Sequence, residues 1–283
     1  MVLGPRAQAL KLIDRAPRLS HAAVELLGTV AVVDEGGERR SIHVPMERPL
    51  TVVFDGRELV TLMTLGGAPE WLVLGYLRNQ RMIGDIGTIE SVIVDWDSGT
   101  ARVQSRLAER ALESPEVPAA RIGCALGTAF GDAMRAVEGM VLPDKGTASI
   151  SRSTLLSILE STRTLDDIHR AAGSVHGCAL YSAEELWVSI EDVSRHNGVD
   201  SITGWMALHG VAGGDKMLFT TGRLTGEMVM KAAYNGIAIL ITRNGVTDMG
   251  YRIAVQLRMS LFGRAANRRY LCYTDAERFD PDS

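Results

Sequence analysis

The stretch that decides the fold is Leu186-Trp187-Val188-Ser189-Ile190-Glu191-Asp192-Val193-Ser194-Arg195-His196-Asn197. Leu186, Val188 and Ile190 alternate with Trp187, Ser189 and Glu191, the period-two pattern of a strand. From Asn197 to Leu208 the apolar residues Val199, Ile202, Trp205, Met206 and Leu208 fall at helical spacing. Between the two patterns, every residue from Glu191 to Asn197 except Val193 is polar. The spacing predicts a strand that ends in polar side chains and turns directly into a helix. Ligands bind at such junctions in α/β sheets, because free helix N–H groups and strand-end side chains converge there. The competing reading is structural: Asp192 or Ser194 caps the helix and Arg195 pairs with a carboxylate.

The same arrangement repeats toward the C-terminus. Met217-Leu218-Phe219 reads as a strand and Leu224 to Tyr234 as a helix, joined by Thr220-Thr221-Gly222-Arg223. Gly222 permits close backbone approach. Arg223 can fork onto a phosphate or carboxylate, or pair on the surface with Glu227. Ile237 to Ile241 reads as a buried strand, Met249 to Met259 as a helix, and Leu261-Phe262 as the start of a last strand. Upstream, Val175 to Leu180 is short and apolar, and Leu155, Leu156, Ile158 and Leu159 mark a helix capped by Ser151 or Ser153. Strands alternating with helices predict crossover units and a largely parallel or mixed sheet.

The N-terminal half is richer in hairpins. Leu50 to Phe54 and Leu59 to Thr64 flank Asp55-Gly56, a strong hairpin signal. Asp97-Ser98-Gly99 and Glu35-Gly36-Gly37 separate further β-rich runs, and Pro69 opens a helix through Trp71, Leu72, Leu74, Gly75 and Leu77. Residues 107–123 are charged and loop-like, and residues 1–20 read as basic, irregular and loosely held. The expected class is α/β (α+β), with a smaller β-rich domain over 20–145 and a second domain over 146–283.

Composition narrows the function. The chain has 283 residues, with 30 Lys plus Arg against 34 Asp plus Glu and a formal charge of −4. That balance excludes a generally basic nucleic-acid coat. No apolar signal region follows Met1-Val2-Leu3-Gly4-Pro5-Arg6, and no apolar run approaches the about 20 residues of a membrane span. A soluble cytoplasmic protein is expected, with no membrane or nucleic-acid partner. One region departs from the acidic average: Arg243, Arg252, Arg258, Arg264, Arg268 and Arg269 stand against Asp248 alone. A solvated face or a phosphate-bearing partner accounts for such a bias. The only cysteines are Cys124, Cys178 and Cys272, too few for a disulfide framework. A zinc deaminase site needs Glu two residues after its His and a downstream Cys-x-x-Cys. Here position 198 is Gly and no Cys-x-x-Cys occurs, so His176, Cys178 and His196 do not complete a zinc site, and no metal is expected.

Three segments carry a family resemblance. They are Ala172-Gly173-Ser174-Val175-His176-Gly177-Cys178-Ala179-Leu180, then Glu191 to Asp200, then Thr221-Gly222-Arg223-Leu224-Thr225-Gly226-Glu227-Met228-Val229-Met230-Lys231-Ala232. They resemble the T-G-G-V-H-A-A-A-L, E-D-V-G-R-H-N-A-x-D-K and S-G-R-x-S-x-E-M-x-x-K-A patterns of the formate dehydrogenase accessory sulfurtransferase family, FdhD. Pro49 to Gly56 and Leu74-Gly75-Tyr76-Leu77 are similar to two further family segments. The resemblance runs from about Val44 to Thr274.

The resemblance implies a sulfurtransferase required for formate dehydrogenase activity. Such a protein takes persulfide sulfur from a cysteine desulfurase and passes it to the molybdenum cofactor, a bis-molybdopterin guanine dinucleotide, of formate dehydrogenase or a related molybdoenzyme. It also implies a homodimer, and a cytidine deaminase-like mixed sheet with flanking helices in the C-terminal part. The site residues it implies are His176, Asp192, Arg195, Asn197, Asp200, Thr221, Arg223 and Glu227. Asp192 and Asp200 would accept from a guanine edge or ribose hydroxyl, Arg195 and Arg223 would face phosphates, and Asn197 would cap the helix or bind a base. The catalytic residue implied is Cys124, which matches the first cysteine of the family's C-G-x-C-G motif. An ordinary thiol titrates at about 8.5, so its activation needs a cation or helix N-terminus nearby, and Arg121 is a candidate. Cys178 and Cys272 read as packing.

Departures cluster near this site: Gly127 for the second cysteine, Ser194 for Gly, Gly198 for Ala, Ser201 for Lys, and Gln80-Arg81 for Glu-Gly. Gly127 keeps a second reading open, a cofactor-binding chaperone without sulfur transfer. A degenerate deaminase-like nucleotide-binding domain with another role is a third.

Overall fold

The computed structural model describes residues 1–106, 137–165 and 167–283. Its N-terminal part holds β1 (Val2–Leu3), α1 (Pro5–Gln8), β2 (Arg18–Leu19), β3 (Leu27–Val33), β4 (Arg39–Pro45), β5 (Arg48–Phe54), β6 (Arg57–Thr64), α2 (Pro69–Asn79), β7 (Ile89–Asp95) and β8 (Thr100–Ser105). A five-stranded sheet runs in the order β2-β7-β8-β5-β6, and β3 and β4 form a separate hairpin. Asp55 and Gly56 both take positive φ at the β5–β6 turn, the geometry that makes Asp-Gly a hairpin signal. Pro69 occupies the first turn of α2, where its missing N–H has no intrahelical partner to lose.

The rest follows as β9 (Ile150–Ser151), α3 (Arg152–Ser161), α4 (Asp167–Ala172), β10 (His176–Ser182), β11 (Glu185–Asp192), α5 (Arg195–Leu208), β12 (Lys216–Thr220), α6 (Gly226–Tyr234), β13 (Ile239–Thr242), α7 (Asp248–Gln256), β14 (Ser260–Ala266), β15 (Arg269–Thr274) and β16 (Phe279–Asp280). A seven-stranded mixed sheet has the order β1-β11-β10-β12-β13-β14-β15. β12, β13 and β14 are parallel and linked through α6 and α7, while β10 runs antiparallel to both neighbours. The protein is therefore a mixed α/β structure with several sheets and flanking helices.

Period two explains why the central strands read as continuous apolar runs. Cys178, Leu180, Leu218, Leu240 and Leu261 face a core shared with α5, α6 and α7. Their neighbours Ala179, Tyr181, Phe219, Ile241 and Phe262 face a second core with Leu155, Ile158 and Leu159 of α3. A sheet covered on both faces has no polar side to show.

Helix α5 is buried from His196 to Leu208 because α2 covers the side that the sheet does not. The two helices cross backbone to backbone at paired glycines. A β-carbon on Gly75 would lie 1.7 Å from the Asp200 carbonyl oxygen, and one on Gly204 would lie 2.0 Å from that of Trp71. The far side of α2 covers the five-stranded sheet, where Leu74 and Leu77 pack with Leu50, Val52, Val92 and Val103.

The N-terminus is not loosely held. β1 pairs with β11, Gly4 N–H donates to the Trp187 carbonyl at 2.8 Å, and Ile13 N–H donates to that of Leu208 at 2.9 Å. A two-residue strand held by backbone ladders leaves no side-chain period to read. Among the described residues, no helix is long and apolar enough to cross a membrane.

Candidate functional site

The strand directions bring the separate polar motifs to one edge. His176 pairs with Asp192, Cys178 with Thr220, Thr220 with Thr242, and Ile241 with Phe262. The start of β10 therefore lies level with the ends of β11, β12 and β13 and with the middle of β14. Carboxyl ends of parallel strands are where open α/β sheets bind ligands.

Four predicted residues meet at this edge. The His176 imidazole Nδ1 is 3.3 Å from Thr221 Oγ1, and Thr221 Oγ1 also accepts from the Gly177 N–H at 3.0 Å. Arg195 opens α5 and lies across Gly222, where a β-carbon would stand 2.6 Å from its Cδ. Arg223 is exposed just beyond. Neither arginine has an ion-pair partner within 4.0 Å among the described residues, and the buried Arg195 Nε makes no hydrogen bond there. Burial, then the positive charges of Arg195, His169, His196 and Arg223, hold the His176 imidazole below its ordinary value. The edge is thus electropositive and suited to an anion.

The other predicted residues sit beneath it. Ser194 caps α5 by accepting from the His196 N–H at 3.2 Å. Asp192, only 3% exposed, accepts from Thr64 Oγ1 at 2.5 Å, Leu65 N–H at 3.3 Å, Ser194 N–H at 3.2 Å and Asn197 Nδ2 at 2.8 Å. Asn197 also donates to the Met63 carbonyl at 2.7 Å. Asp192 and Asn197 together fasten the end of β6 to the start of α5. Burial raises the Asp192 carboxyl, and these hydrogen bonds oppose the rise.

Asp200, 2% exposed, receives Asn79 Nδ2 at 2.7 Å and Lys231 Nζ at 2.8 Å. Glu227 lies 3.5 Å from Lys231 and 3.4 Å from His196 Nδ1, so the surface pair with Arg223 is not formed. Burial opposes ionisation of Glu227, but His196 and Lys231 outweigh it and draw the carboxyl down to about 2. Burial also opposes charge on Lys231, yet Asp200 and Glu227 raise it above its ordinary value.

The sequence reading set Asp192 and Asp200 against a ligand; the structure instead closes both carboxylates inside internal networks. Sequence reasoning missed Lys231, although its i,i+4 spacing from Glu227 is a readable signal. Arg243, which the sequence reading grouped only with the C-terminal arginines, follows β13 at the same edge and donates to the Thr162 carbonyl at 2.9 Å. Among the described residues, no three His, Cys, Asp or Glu side chains gather as metal ligands.

The FdhD/NarQ family matches residues 45–280, a span that contains the whole edge. The chain belongs to the FdhD/NarQ family. The sulfur carrier protein FdhD of Bacillus licheniformis is 29% identical over 240 residues, 82% of this chain and 88% of that protein. The sulfur carrier protein FdhD of Bacillus subtilis is 28% identical over 250 residues, 86% of this chain and 94% of that protein. A crystal structure from Desulfotalea psychrophila, assigned as a formate dehydrogenase accessory protein, superposes with a TM-score of 0.72 at 24% identity. It covers 91% of this chain and 100% of that one, which shows a shared fold.

The three thiols of this FdhD/NarQ protein fall in different places. Cys124 lies outside the described residues. Cys178 is buried, contacts Thr220 Oγ1 at 3.3 Å, and is pushed up to about 12 by burial. That makes it core, in line with the sequence reading. A β-carbon on Gly198 would lie 2.8 Å from its sulfur, so Gly198 leaves the space that Cys178 fills. Cys272 is exposed on β15 rather than packed, because β15 is the last strand of its sheet.

Proposed function

We propose that this protein carries persulfide sulfur from a cysteine desulfurase to the molybdenum cofactor of formate dehydrogenase or a related enzyme. In this reading Cys124 is the carrier. Its thiolate attacks the terminal sulfur of the donor persulfide; a new S–S bond forms as the donor S–S bond breaks, and the donor leaves as a thiolate. The exchange is redox-balanced, needing no outside oxidant. The protein works in the cytoplasm as a homodimer.

The observation that carries the binding half of this reading is the convergence of His176, Arg195, Thr221 and Arg223 on one sheet edge. There the guanine dinucleotide end of the cofactor would meet Arg195 and Arg223 through its phosphates and Thr221 and His176 through hydrogen bonds. Asp192, Asn197, Asp200 and Glu227 support the edge from below and set the position of α5. The strand order β11-β10-β12-β13-β14, an antiparallel pair beside three parallel strands, supports the cytidine deaminase-like assignment. The names of the Bacillus relatives support the sulfur-carrying half.

The test is sulfur loading. The full chain is incubated with a cysteine desulfurase and labelled cysteine, and the expected result is a mass gain of one sulfur on Cys124 that Cys124→Ala abolishes. Cys272→Ala is the control, because Cys272 is the exposed thiol among the described residues. Label that persists in Cys124→Ala, or no label at all, removes the carrier assignment. Gly127 in place of the second motif cysteine favours one other reading, a chaperone that binds the cofactor without carrying sulfur. For that reading GDP still raises the melting temperature while Cys124 stays unloaded.

A further inference from the structure

Two features of the β14–β15 hairpin lie outside the candidate site. The first is its charge. Arg264, Arg268 and Arg269 are exposed on or beside its tip, and none has an ion-pair partner within 4.0 Å among the described residues. The hairpin is tied to the strand-end loops, since Arg264 N–H donates to the Asn244 carbonyl at 2.7 Å. The second is its backbone. Ala266 pairs with Arg269, so Asn267-Arg268 is a two-residue turn, with φ of 49° and 63°. Such turns favour Asn-Gly, because both residues are left-handed. Arg264, at the irregularity between Gly263 and Ala266, is left-handed as well, with φ of 51°. Two of the three arginines thus stand where glycine is the relaxed choice, and strain of this kind marks sites where the side chain matters.

Among the described residues, β15 ends the sheet order and no strand pairs with its far side, and its successive residues Leu271 (49% exposed) and Cys272 are both exposed. Charges near an edge strand also serve to prevent sheet-to-sheet aggregation. That role needs no strained backbone and is best served by charge in the middle of the strand, where this one carries Leu271 and Cys272.

We propose that the β14–β15 hairpin is a docking site for an extended acidic segment of a partner protein. The segment adds as a strand to β15, and its carboxylates meet Arg264, Arg268 and Arg269. Open backbone groups attract an extended polypeptide rather than a small anion, and the uncompensated arginines select one that is acidic.

The test uses the full chain and a fluorescein-labelled peptide alternating Glu and Val, read by fluorescence anisotropy. The controls are the Lys-for-Glu peptide, an N-methylated Glu/Val peptide that cannot pair as a strand, a single-stranded oligonucleotide and inorganic pyrophosphate. The expected result is binding of the Glu/Val peptide but not of the other two peptides, weakened about tenfold or more by the Arg264→Gln/Arg268→Gln/Arg269→Gln variant, which leaves any oligonucleotide or pyrophosphate binding at the Arg195 and Arg223 edge unchanged. Arg268→Gly separates recognition from folding. It relieves a left-handed arginine, so the melting temperature holds or rises while peptide affinity falls and the GDP response is unchanged. The proposal is overturned if the wild type fails to bind the Glu/Val peptide or binds its N-methylated form equally well. It is also overturned if Arg268→Gly leaves affinity intact, or if the oligonucleotide or pyrophosphate binds with the same arginine dependence.

Discussion

Replacing Lys231 with Met tests the internal network that supports the site. Lys231 is 3% exposed, 2.8 Å from Asp200 and 3.5 Å from Glu227. Its removal leaves the buried Asp200 carboxylate with Asn79 as its remaining side-chain partner. Breaking one side of a buried ion pair costs about 3–5 kcal/mol. At roughly 2–4 °C per kcal/mol, the melting temperature should fall by roughly 6–20 °C. The pH dependence supplies an independent check. Glu227 falls from an ordinary 4.5 to about 2 on folding, which corresponds to about 3 kcal/mol. Because the folded value is the lower one, this stabilisation is complete above the ordinary value and is lost as pH falls toward about 2. Lys231→Met weakens the lowering, so its denaturant midpoint should lose less across that acid window than the wild type's. Lys231→Met/Asp200→Leu removes both charges and should recover part of the loss, since a well-packed apolar pair tolerates burial. Urea titrations across the acid range give all three quantities. A single variant that loses less than about 1 kcal/mol, or a double variant no more stable than the single, would refute the reasoning.

Gly75→Ala and Gly204→Ala each drive a β-carbon to within 2.0 Å of a backbone oxygen, so α2 and α5 must separate. We expect each to destabilise by about 1–3 kcal/mol in denaturant titrations, and unchanged stability would contradict the direct helix contact. Gly222→Ala meets Arg195 Cδ at 2.6 Å and also its Cβ at 2.7 Å, which moves only with the first turn of α5. It should lower the melting temperature and weaken GDP binding about tenfold, the effect of displacing one charged contact, and calorimetric titration measures the change in binding. Gly198→Ala should destabilise the wild type through its 2.8 Å clash with the Cys178 sulfur, and the cost should largely vanish in a Cys178→Ala background. A coupling energy near zero in that double-mutant cycle would show that the two positions are independent.

Local chemistry was legible and long-range partners were not. The β11–α5 junction, the Asp55-Gly56 turn and the Pro69 helix start were readable because each rests on a period or a turn preference within a few residues. β1 was not, since two residues have no period. The sequence placed Asp192, Asn197, Asp200 and Glu227 near the right strand end, because polar residues at a strand-to-helix turn are informative. It could not say that Thr64 and Asn79, more than a hundred positions upstream, would meet two of these carboxylates. Nor could it separate carboxylates turned inward from arginines turned outward.

The same geometry reinterprets the departures from the family pattern. Gly198 for Ala and Cys178 for Ala are two halves of one packing change, because the β-carbon absent at Gly198 makes room for the sulfur. Ser194 for Gly supplies the α5 cap. Arg81, where the family has Gly, keeps a left-handed φ of 57° and holds its guanidinium 3.9 Å from the centre of the Tyr234 ring. Stacking of this kind, worth about 0.5–1 kcal/mol at an exposed site, offsets part of the strain. These changes are explained by core space, helix capping and backbone conformation. None replaces His176, Arg195 or Arg223, and Thr221 keeps the hydroxyl of the family's Ser. A cluster of substitutions that looks in sequence like a drifting active site is thus, at these positions, repacking behind a constant outward edge. The departures left without such an account are the buried Ser201 for Lys and Gln80 for Glu, and Gly127, which alone bears on the thiol chemistry. Sulfur loading of Cys124, compared with that of Gly127→Cys, isolates it: equal loading means that one cysteine suffices, and loading only in Gly127→Cys means that the second thiol is required.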